Sequence, residues 1–338
     1  MVVSTLPVEF VACNLCGGRD ETVIFSHVER IVTPGTQVVQ CTDCGLVYLN
    51  PRLQHLSDNF TMDEAFLRDF YVPLYQRYGL LTPEGELNRA ANFGFHTVYL
   101  NTMQPYRKLN RVLDVGCAIG LFLAAAKQDG WDSHGIDPSA PLSRYGRERC
   151  DVNIAQAELG AMAYPSGHFD VVTLWAVTEH LLDPRAVLRE AFRVLRSGGL
   201  LMLAVPNWNS IARDFLGTNW EMFVTDHFYY FTPTTICKML AKTGFAVTTI
   251  DSAELCGDEI SEIETKMNPD AAQRALREVV ISSNGSRGST ITVAATKPLS
   301  GGDRWHKALG LARSGRWQTL DGEIRNYLRW KLSFTPRL

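Results

Sequence analysis

The sequence predicts an α/β protein whose core is a mainly parallel sheet with helices on both faces. Three observations lead there. Between residues 109 and 298, short apolar runs of strand length alternate with helical stretches, the pattern of parallel strands joined by crossover helices. One run, Leu113-Asp114-Val115, passes straight into the tight turn Gly116-Cys117-Ala118-Ile119-Gly120 and then into helix-forming Phe122-Leu-Ala-Ala-Ala-Lys127. The next, Asp132-Ser-His-Gly-Ile-Asp137-Pro138-Ser139, closes on a second acid. In such a sheet the ligand crevice lies at the carboxyl ends of the strands, which places both acids and the glycine turn on the binding edge.

Residues 1 to 50 carry four of the eight cysteines, in Cys13-Asn-Leu-Cys16-Gly and Cys41-Thr-Asp-Cys44-Gly. Two such knuckles wrap one tetrahedral metal with four thiolates, and the glycine after each pair permits the turn. Zinc is the expected occupant, with a four-thiolate iron as the chemical alternative and paired disulfides disfavoured in a reducing compartment. With every position filled by protein, such an ion is structural. Between the pairs, Glu21 to Phe25 and Gln37 to Gln40 are the β-rich segments of a ribbon, and Asn50-Pro51 marks the exit. Residues 51 to 108 read as a helical cover: Phe60, Phe66, Phe70, Tyr71, Leu74, Tyr75 and Tyr78 recur at helical spacing, broken near Pro83 and resumed from Glu86 to Met103. Such a stripe is first of all a packing surface; a lid laying Tyr71, Tyr75 or Tyr78 on a ligand is the functional alternative.

The core, residues 109 to 298, predicts seven strands near 111 to 115, 132 to 136, 152 to 155, 169 to 175, 199 to 205, 245 to 251 and 289 to 296. A helix is expected over Asp258 to Ser282, followed by a polar turn reaching Gly288. Residues 299 to 338 form a basic tail with eight lysines or arginines against three acids, a net charge of about +5, and with Trp305, Trp317 and Trp330. One reading rests it on a membrane surface or an anionic substrate; the other packs it as a helical arm on its own core or on a second subunit of a homodimer.

The chain has 338 residues, 46 % hydrophobic and 20 % charged, enough to bury one large core with smaller appendages. Its net charge of −3 supplies no general field for a polyanion, which disfavours a nucleic-acid partner. No signal-like start and no run of about 18 apolar residues is evident, so a cytoplasmic protein without a transmembrane segment is expected.

A dinucleotide site needs G-x-G-x-x-G, whereas here the spacing is Gly116-x-x-x-Gly120 with Ala118 at the central position. An acid closing the second strand suits a ribose diol without demanding a pyrophosphate. These residues resemble the class I S-adenosylmethionine-dependent methyltransferases, whose first motif is an acid, any residue, then Gly-x-Gly-x-Gly; Asp114, Gly116 and Gly120 match and Ala118 departs. The resemblance continues through Glu158-Leu159, Ala163 to Asp170, Val171 to Trp175, Glu179-His180-Leu-Leu-Asp-Pro184 and Leu195 to Leu203. It implies a Rossmann-like core with its last strand inserted antiparallel beside the sixth. It also implies S-adenosyl-L-methionine as cofactor: Asp137 on the ribose hydroxyls with Pro138 following, Gly116, Cys117, Ala118 and Gly120 lining the methionine end, Asp114 bracing that loop and the amino group, Glu158 and Leu159 at the adenine edge, and Trp175 at the end of the fourth strand.

The sulfonium is already a good electrophile, so the protein mainly aligns a nucleophile and accepts its proton. His180 follows the fourth strand and His227, in Val224-Thr-Asp226-His227-Phe-Tyr-Tyr-Phe231, follows the fifth; both are candidate bases, with Asp226 to orient a neighbour and Asn207 to bind substrate. The cysteine pairs, cover and core together are similar to the zinc-ribbon methyltransferases, among them deoxysugar C-methyltransferases with a Tyr-His-Glu-His-Phe segment. Of that segment only His227 and Phe228 match outright. The expected function is therefore methyl transfer to a small molecule or glycan, chiefly O-methylation of a sugar, lipid-linked glycan or secondary metabolite. Sugar C-methylation, RNA or protein methylation, and a non-catalytic cofactor-binding regulator are the alternatives.

Overall fold

A computed structural model describes residues 7–54, 62–252 and 287–300. Phe60, the 258–282 helix, most of the polar turn after it and the basic tail with its three tryptophans lie outside the described residues.

In chain order the strands are β1 (Val8–Glu9), β2 (Glu21–Phe25), β3 (Gln37–Cys41), β4 (Val47–Asn50), β5 (Arg52–Leu53), β6 (Arg111–Val115), β7 (Asp132–Ile136), β8 (Ile154–Ala155), β9 (Phe169–Trp175), β10 (Leu195–Pro206), β11 (Tyr229–Tyr230), β12 (Ala246–Asp251) and β13 (Thr290–Thr296). The helices are α1 (Glu64–Phe66), which runs through a π turn at Leu67–Tyr71 into α2 (Val72–Arg77), then α3 (Arg89–Met103), α4 (Leu121–Gln128), α5 (Ala140–Arg149), α6 (Pro184–Val194), α7 (Ile211–Leu216) and α8 (Pro233–Lys242).

Seven strands form the main sheet in the order β12-β13-β10-β9-β6-β7-β8. The pairs β10/β9, β9/β6, β6/β7 and β7/β8 are parallel, and β13 runs antiparallel between β10 and β12. The expected strands are all present, with two adjustments. β8 is only two residues long, and β10 begins at Leu195 because Arg196 to Gly199 bulge out before pairing resumes at Leu200. The bulge lets Arg196 reach the buried Asp170 carboxylate, which also accepts the backbone N–H groups of Lys108 (3.0 Å) and Leu109 (2.6 Å) and so fixes the approach to β6. β9 is buried on both faces, as a central parallel strand must be.

The amino-terminal ribbon is less separate than its sequence implies. Its four-stranded antiparallel sheet has the order β11-β4-β3-β2, and β11 comes from the core segment after β10. Pro51 turns the chain without releasing it, since β5 pairs back on β1. One ribbon face packs on Trp208, Trp220, Phe223 and Tyr230, with Trp220 fully buried.

The cover divides its aromatic stripe between two environments. Tyr71 and Tyr75 lie tilted against each other (ring centroids 5.1 Å, planes at 59°) and pack on Cys117, Ile119 and Leu142, whereas Phe70 and Tyr78 are exposed. Tyr78, expected among the lid residues, therefore faces solvent. α3 buries Asn92, His96, Leu100 and Met103, three and four residues apart, with Asn92 donating to the carbonyl of Leu121 on α4 (2.8 Å). Among the described residues no helix is long and apolar enough to cross a membrane.

The turn from β6 into α4 depends on three left-handed residues: Gly116 (φ 67°), Ala118 (φ 50°) and Gly120 (φ 76°). The glycines are required by the fold itself. A Cβ on Gly116 would lie 2.5 Å from Val177 Cγ2, and one on Gly120 2.6 Å from Val152 Cγ2. Ala118 adopts a conformation that costs an L-residue about 1–2 kcal/mol, against the roughly 0.4–1 kcal/mol that glycine loses through its freer unfolded chain. Ala118→Gly is accordingly expected to raise stability by about 0.5–1 kcal/mol, read as a higher urea midpoint with unchanged slope; a lower midpoint would show that the alanine is unstrained.

Candidate active site

The glycine turn is held by backbone bonds from β7. Gly116 and Cys117 both donate to the carbonyl of Ile136 (2.8 and 3.1 Å), and Ala118 N–H donates to Asp137 Oδ2 at 2.8 Å. Asp137 Oδ1 accepts from Ser139 N–H, also at 2.8 Å, so each carboxylate oxygen is anchored and keeps lone pairs for a ligand. Exposed Pro138 leads into α5, whose N-cap, Ser139, donates to the carbonyl of Met62 in the cover (2.6 Å). Ala157 N–H bonds to the Asp137 carbonyl (3.2 Å), bringing exposed Glu158 and buried Leu159 to the same edge.

Asp114 is buried, with Oδ1 accepting from the Thr173 hydroxyl at 2.6 Å. Burial pushes its pKa up to about 7, opposed by the Thr173 bond and assisted by the charge of Asp137, whose own pKa is also raised by burial. The buried Cys117 thiol is pushed up in the same way and is inert. Burial raises the pKa of the Tyr71 phenol, and neighbouring Tyr75 and the charge of Asp137 push it the same way. Trp175 is wedged between Tyr99 and Phe122 (4.6 and 5.5 Å between centroids), its indole N–H without a partner among the described residues. Its environment is thus an aromatic cluster under α3 and α4.

Val177, which fills the space over Gly116, is three residues before His180, and this contact joins the cofactor loop to a second group of side chains. The turn Thr178–His180 after β9 meets the segment leading into β11, because Phe228 N–H donates to the Glu179 carbonyl at 2.8 Å. The two candidate histidines consequently belong to one site. Their rings are edge to face, 4.5 Å between centroids. His180 Nδ1 is 3.0 Å from the Asp226 carbonyl and 3.2 Å from Asp226 Oδ2, and His227 Nδ1 is 2.8 Å from the Met222 carbonyl. Asp226 thus orients His180 rather than its sequence neighbour.

Glu179 was not singled out from the sequence, although it directly precedes His180. It is fully buried, and among the described residues neither carboxylate oxygen has a hydrogen-bond partner. Burial pushes its pKa up to about 7, against the influence of His180. Burial would lower His180, but the Asp226 bond and the charges of Glu179 and Asp226 hold it above the usual histidine range. Burial and the neighbouring His180 push His227 down to about 3, leaving it neutral. Asn207, expected to bind substrate, has its amide donating to the Gly288 carbonyl (2.7 Å) and accepting from Asn209 N–H (3.0 Å), which fastens the turn after β10.

The four ribbon sulfurs converge. Cys13–Cys44 and Cys16–Cys41 are each 3.4 Å apart, and all four lie within 4.8 Å of one another. Metal–sulfur bonds of about 2.3 Å imply tetrahedral S···S separations of ~3.8 Å, so the donor set fits a thiolate-bound ion after shifts of a few tenths of an ångström. Gly17 and Gly45, after the pairs, are left-handed at φ 86° and 81°. Lys238 and Lys242 of α8 cap the knuckles through the carbonyls of Cys44 and Leu15.

A family model described as a methyltransferase domain matches residues 67–250, more than half of the chain. A ubiquinone biosynthesis O-methyltransferase of Psychrobacter arcticus is 30 % identical over 150 residues, covering 40 % of this chain and 58 % of that protein. A probable S-adenosylmethionine-dependent methyltransferase of Mycobacterium tuberculosis is 34 % identical over 122 residues, 34 % of this chain and 42 % of that protein. The chain spans about half the length of the curated relatives it matches. A solved SAM-dependent methyltransferase from Archaeoglobus fulgidus superposes with a TM-score of 0.48 at 18 % identity, over 68 % of this chain and all of that one. With its seven-stranded sheet, glycine turn and family match, the chain belongs to the S-adenosylmethionine-dependent methyltransferases of class I.

Proposed function

We propose that the chain methylates a hydroxyl of a small molecule or glycan, and that the acceptor's proton leaves at the Glu179, His180, Asp226 and His227 cluster. The observation that carries this reading is the placement of that cluster next to the glycine turn, through Val177. The acceptor oxygen attacks the methyl carbon, the carbon–sulfur bond breaks, and the sulfonium becomes the neutral thioether of S-adenosylhomocysteine. Alignment does most of the work, while removal of the proton contributes about 10²- to 10⁴-fold. The naming of several relatives as O-methyltransferases supports a hydroxyl acceptor. In this reading Asp137 accepts the ribose hydroxyls, Asp114 faces the methionine ammonium, Glu158 and Leu159 border the adenine, and Tyr71 closes over them. The four cysteines hold a structural zinc, which leaves no coordination position open for chemistry.

Product analysis with hydroxylated sugars and phenols as acceptors tests the reaction. His180→Gln and His227→Gln are each expected to lower turnover by about 10²-fold or more with cofactor affinity within about twofold of the parent; full turnover in both variants would remove the cluster from the reaction.

Asp114 gives cofactor binding a pH dependence. Its folded pKa lies above the unfolded value, so its contribution to stability is fully present below about 4 and is lost as pH rises through about 7, where the buried carboxylate ionises. A cationic ligand favours that carboxylate. S-adenosylmethionine affinity is therefore expected to fall by up to about tenfold per unit below pH 7 and to level off above it. Asp114→Asn should flatten the profile in calorimetric titrations; an unchanged profile would place the titrating group elsewhere.

Metal analysis of the purified chain should find zinc at the cysteines, and Cys16→Ser together with Cys41→Ser should lower the zinc content by one per molecule; an undiminished zinc content in that double variant would exclude the cysteine site.

A further inference from the structure

We infer that Glu179, His180 and His227 form a second metal site, for a catalytic divalent cation rather than a structural one. One carboxylate oxygen and one nitrogen from each ring lie within 4.8 Å of one another. The hydrogen bonds of the two rings leave one nitrogen on each for a metal. Each imidazole commits Nδ1 to an oxygen: His180 to the Asp226 carbonyl and carboxylate, His227 to the Met222 carbonyl. A ring whose Nδ1–H donates carries its lone pair on Nε2, and such outer bonds are how proteins aim histidine at an ion. Glu179 completes the set. A fully buried carboxylate whose two oxygens find no partner among the described residues is costly by itself, and a cation between it and two imidazoles removes that cost.

The donors also indicate which ions fit. Two imidazoles and one carboxylate suit borderline divalent ions such as Mn²⁺, Fe²⁺, Co²⁺ or Zn²⁺ and contrast with the four thiolates of the ribbon. Three protein ligands leave coordination positions open, unlike the closed cysteine set. The inference rests on the hydroxyl-methylation reading and deepens it: the acceptor oxygen occupies an open position, and the ion lowers its pKa as it does that of bound water. The hydroxyl proton passes to solvent, the oxygen takes the methyl carbon, the carbon–sulfur bond breaks, and the ion is neither oxidised nor reduced. His180 and His227 then act as ligands instead of as bases, and Asp226 is a positioning residue for His180.

Mn²⁺ tests this without disturbing the ribbon, because it competes poorly for thiolates. The full chain, with its zinc content measured before and after, is titrated with Mn²⁺ while the free-ion electron paramagnetic resonance signal is followed. One Mn²⁺ per chain is expected, with at least tenfold weaker binding in Glu179→Gln, which preserves shape and removes a buried charge, and in His227→Gln. Asp226→Asn, which keeps the Asp226 carbonyl, should weaken it by a smaller factor. No Mn²⁺ binding, or equal binding by the parent and Glu179→Gln, overturns the proposal. Turnover that survives EDTA while the ribbon zinc remains also overturns it but leaves hydroxyl methylation standing. Mn²⁺ binding lost in Glu179→Gln, with no S-adenosylhomocysteine released from any hydroxylated acceptor, upholds the site and instead defeats the hydroxyl-methylation reading.

Discussion

The backbone of Phe228 holds the three parts of this protein together. Its N–H donates to Glu179 in the turn after β9, and its carbonyl accepts from Leu49 of the ribbon at 3.0 Å. Phe228 is fully buried, where neither group has water to fall back on, so both bonds must be made for the segment to sit there. The next two residues form β11 and complete the ribbon sheet, and the two before it are Asp226 and His227. The relative position of sheet, ribbon and histidine cluster is thus fixed within five residues.

Arg52 reinforces that point from the ribbon side. Its guanidinium donates to the Tyr229 hydroxyl (2.7 Å), the Leu182 carbonyl (2.8 Å) and Glu9 (3.1 Å), and it lies over the Phe228 ring at 5.5 Å. Planar donors in a fixed fork suit such a junction; a lysine would supply one point of charge for three partners. The ribbon therefore does more than gather four cysteines. It forms one wall of the segment that carries the polar cluster, which gives a physical reason for a cysteine-rich module to precede a methyltransferase core.

The parts of the fold that follow local rules were legible in the sequence. Runs such as Phe169–Trp175 and Arg111–Val115 state their strand character directly, and the glycine turn with its two acids announces the cofactor edge. The Cys-x-x-Cys-Gly pairs did the same for the thiolate cluster, which lies together as their spacing implies. What sequence could not reveal were long-range choices. Pairing of Tyr229–Tyr230 with Val47 and Tyr48 joins residues far apart in the chain, and a two-residue strand has no periodicity to read. His180 and His227 appeared as rivals because their meeting depends on that same pairing. Glu179 was passed over since an acid beside a histidine looks like surface until its burial is known. In the sequence Ala118 is only a departure from the glycine motif, and the backbone angle exposed its conformational demand.

Synthesis order gives the β11 pairing a further consequence. The cysteine quartet and the first three ribbon strands leave the ribosome early, but the strand that covers β4 is made only after most of the parallel sheet, a delay on the order of 10 to 40 s at ordinary elongation rates. Until then β4, buried along its whole length in the finished protein, is an open edge of apolar residues and a template for the wrong partner. An ion captured by the knuckles would hold the three-stranded fragment in shape while it waits. The arrival of β11 then closes that edge, and the same segment brings His227 against His180.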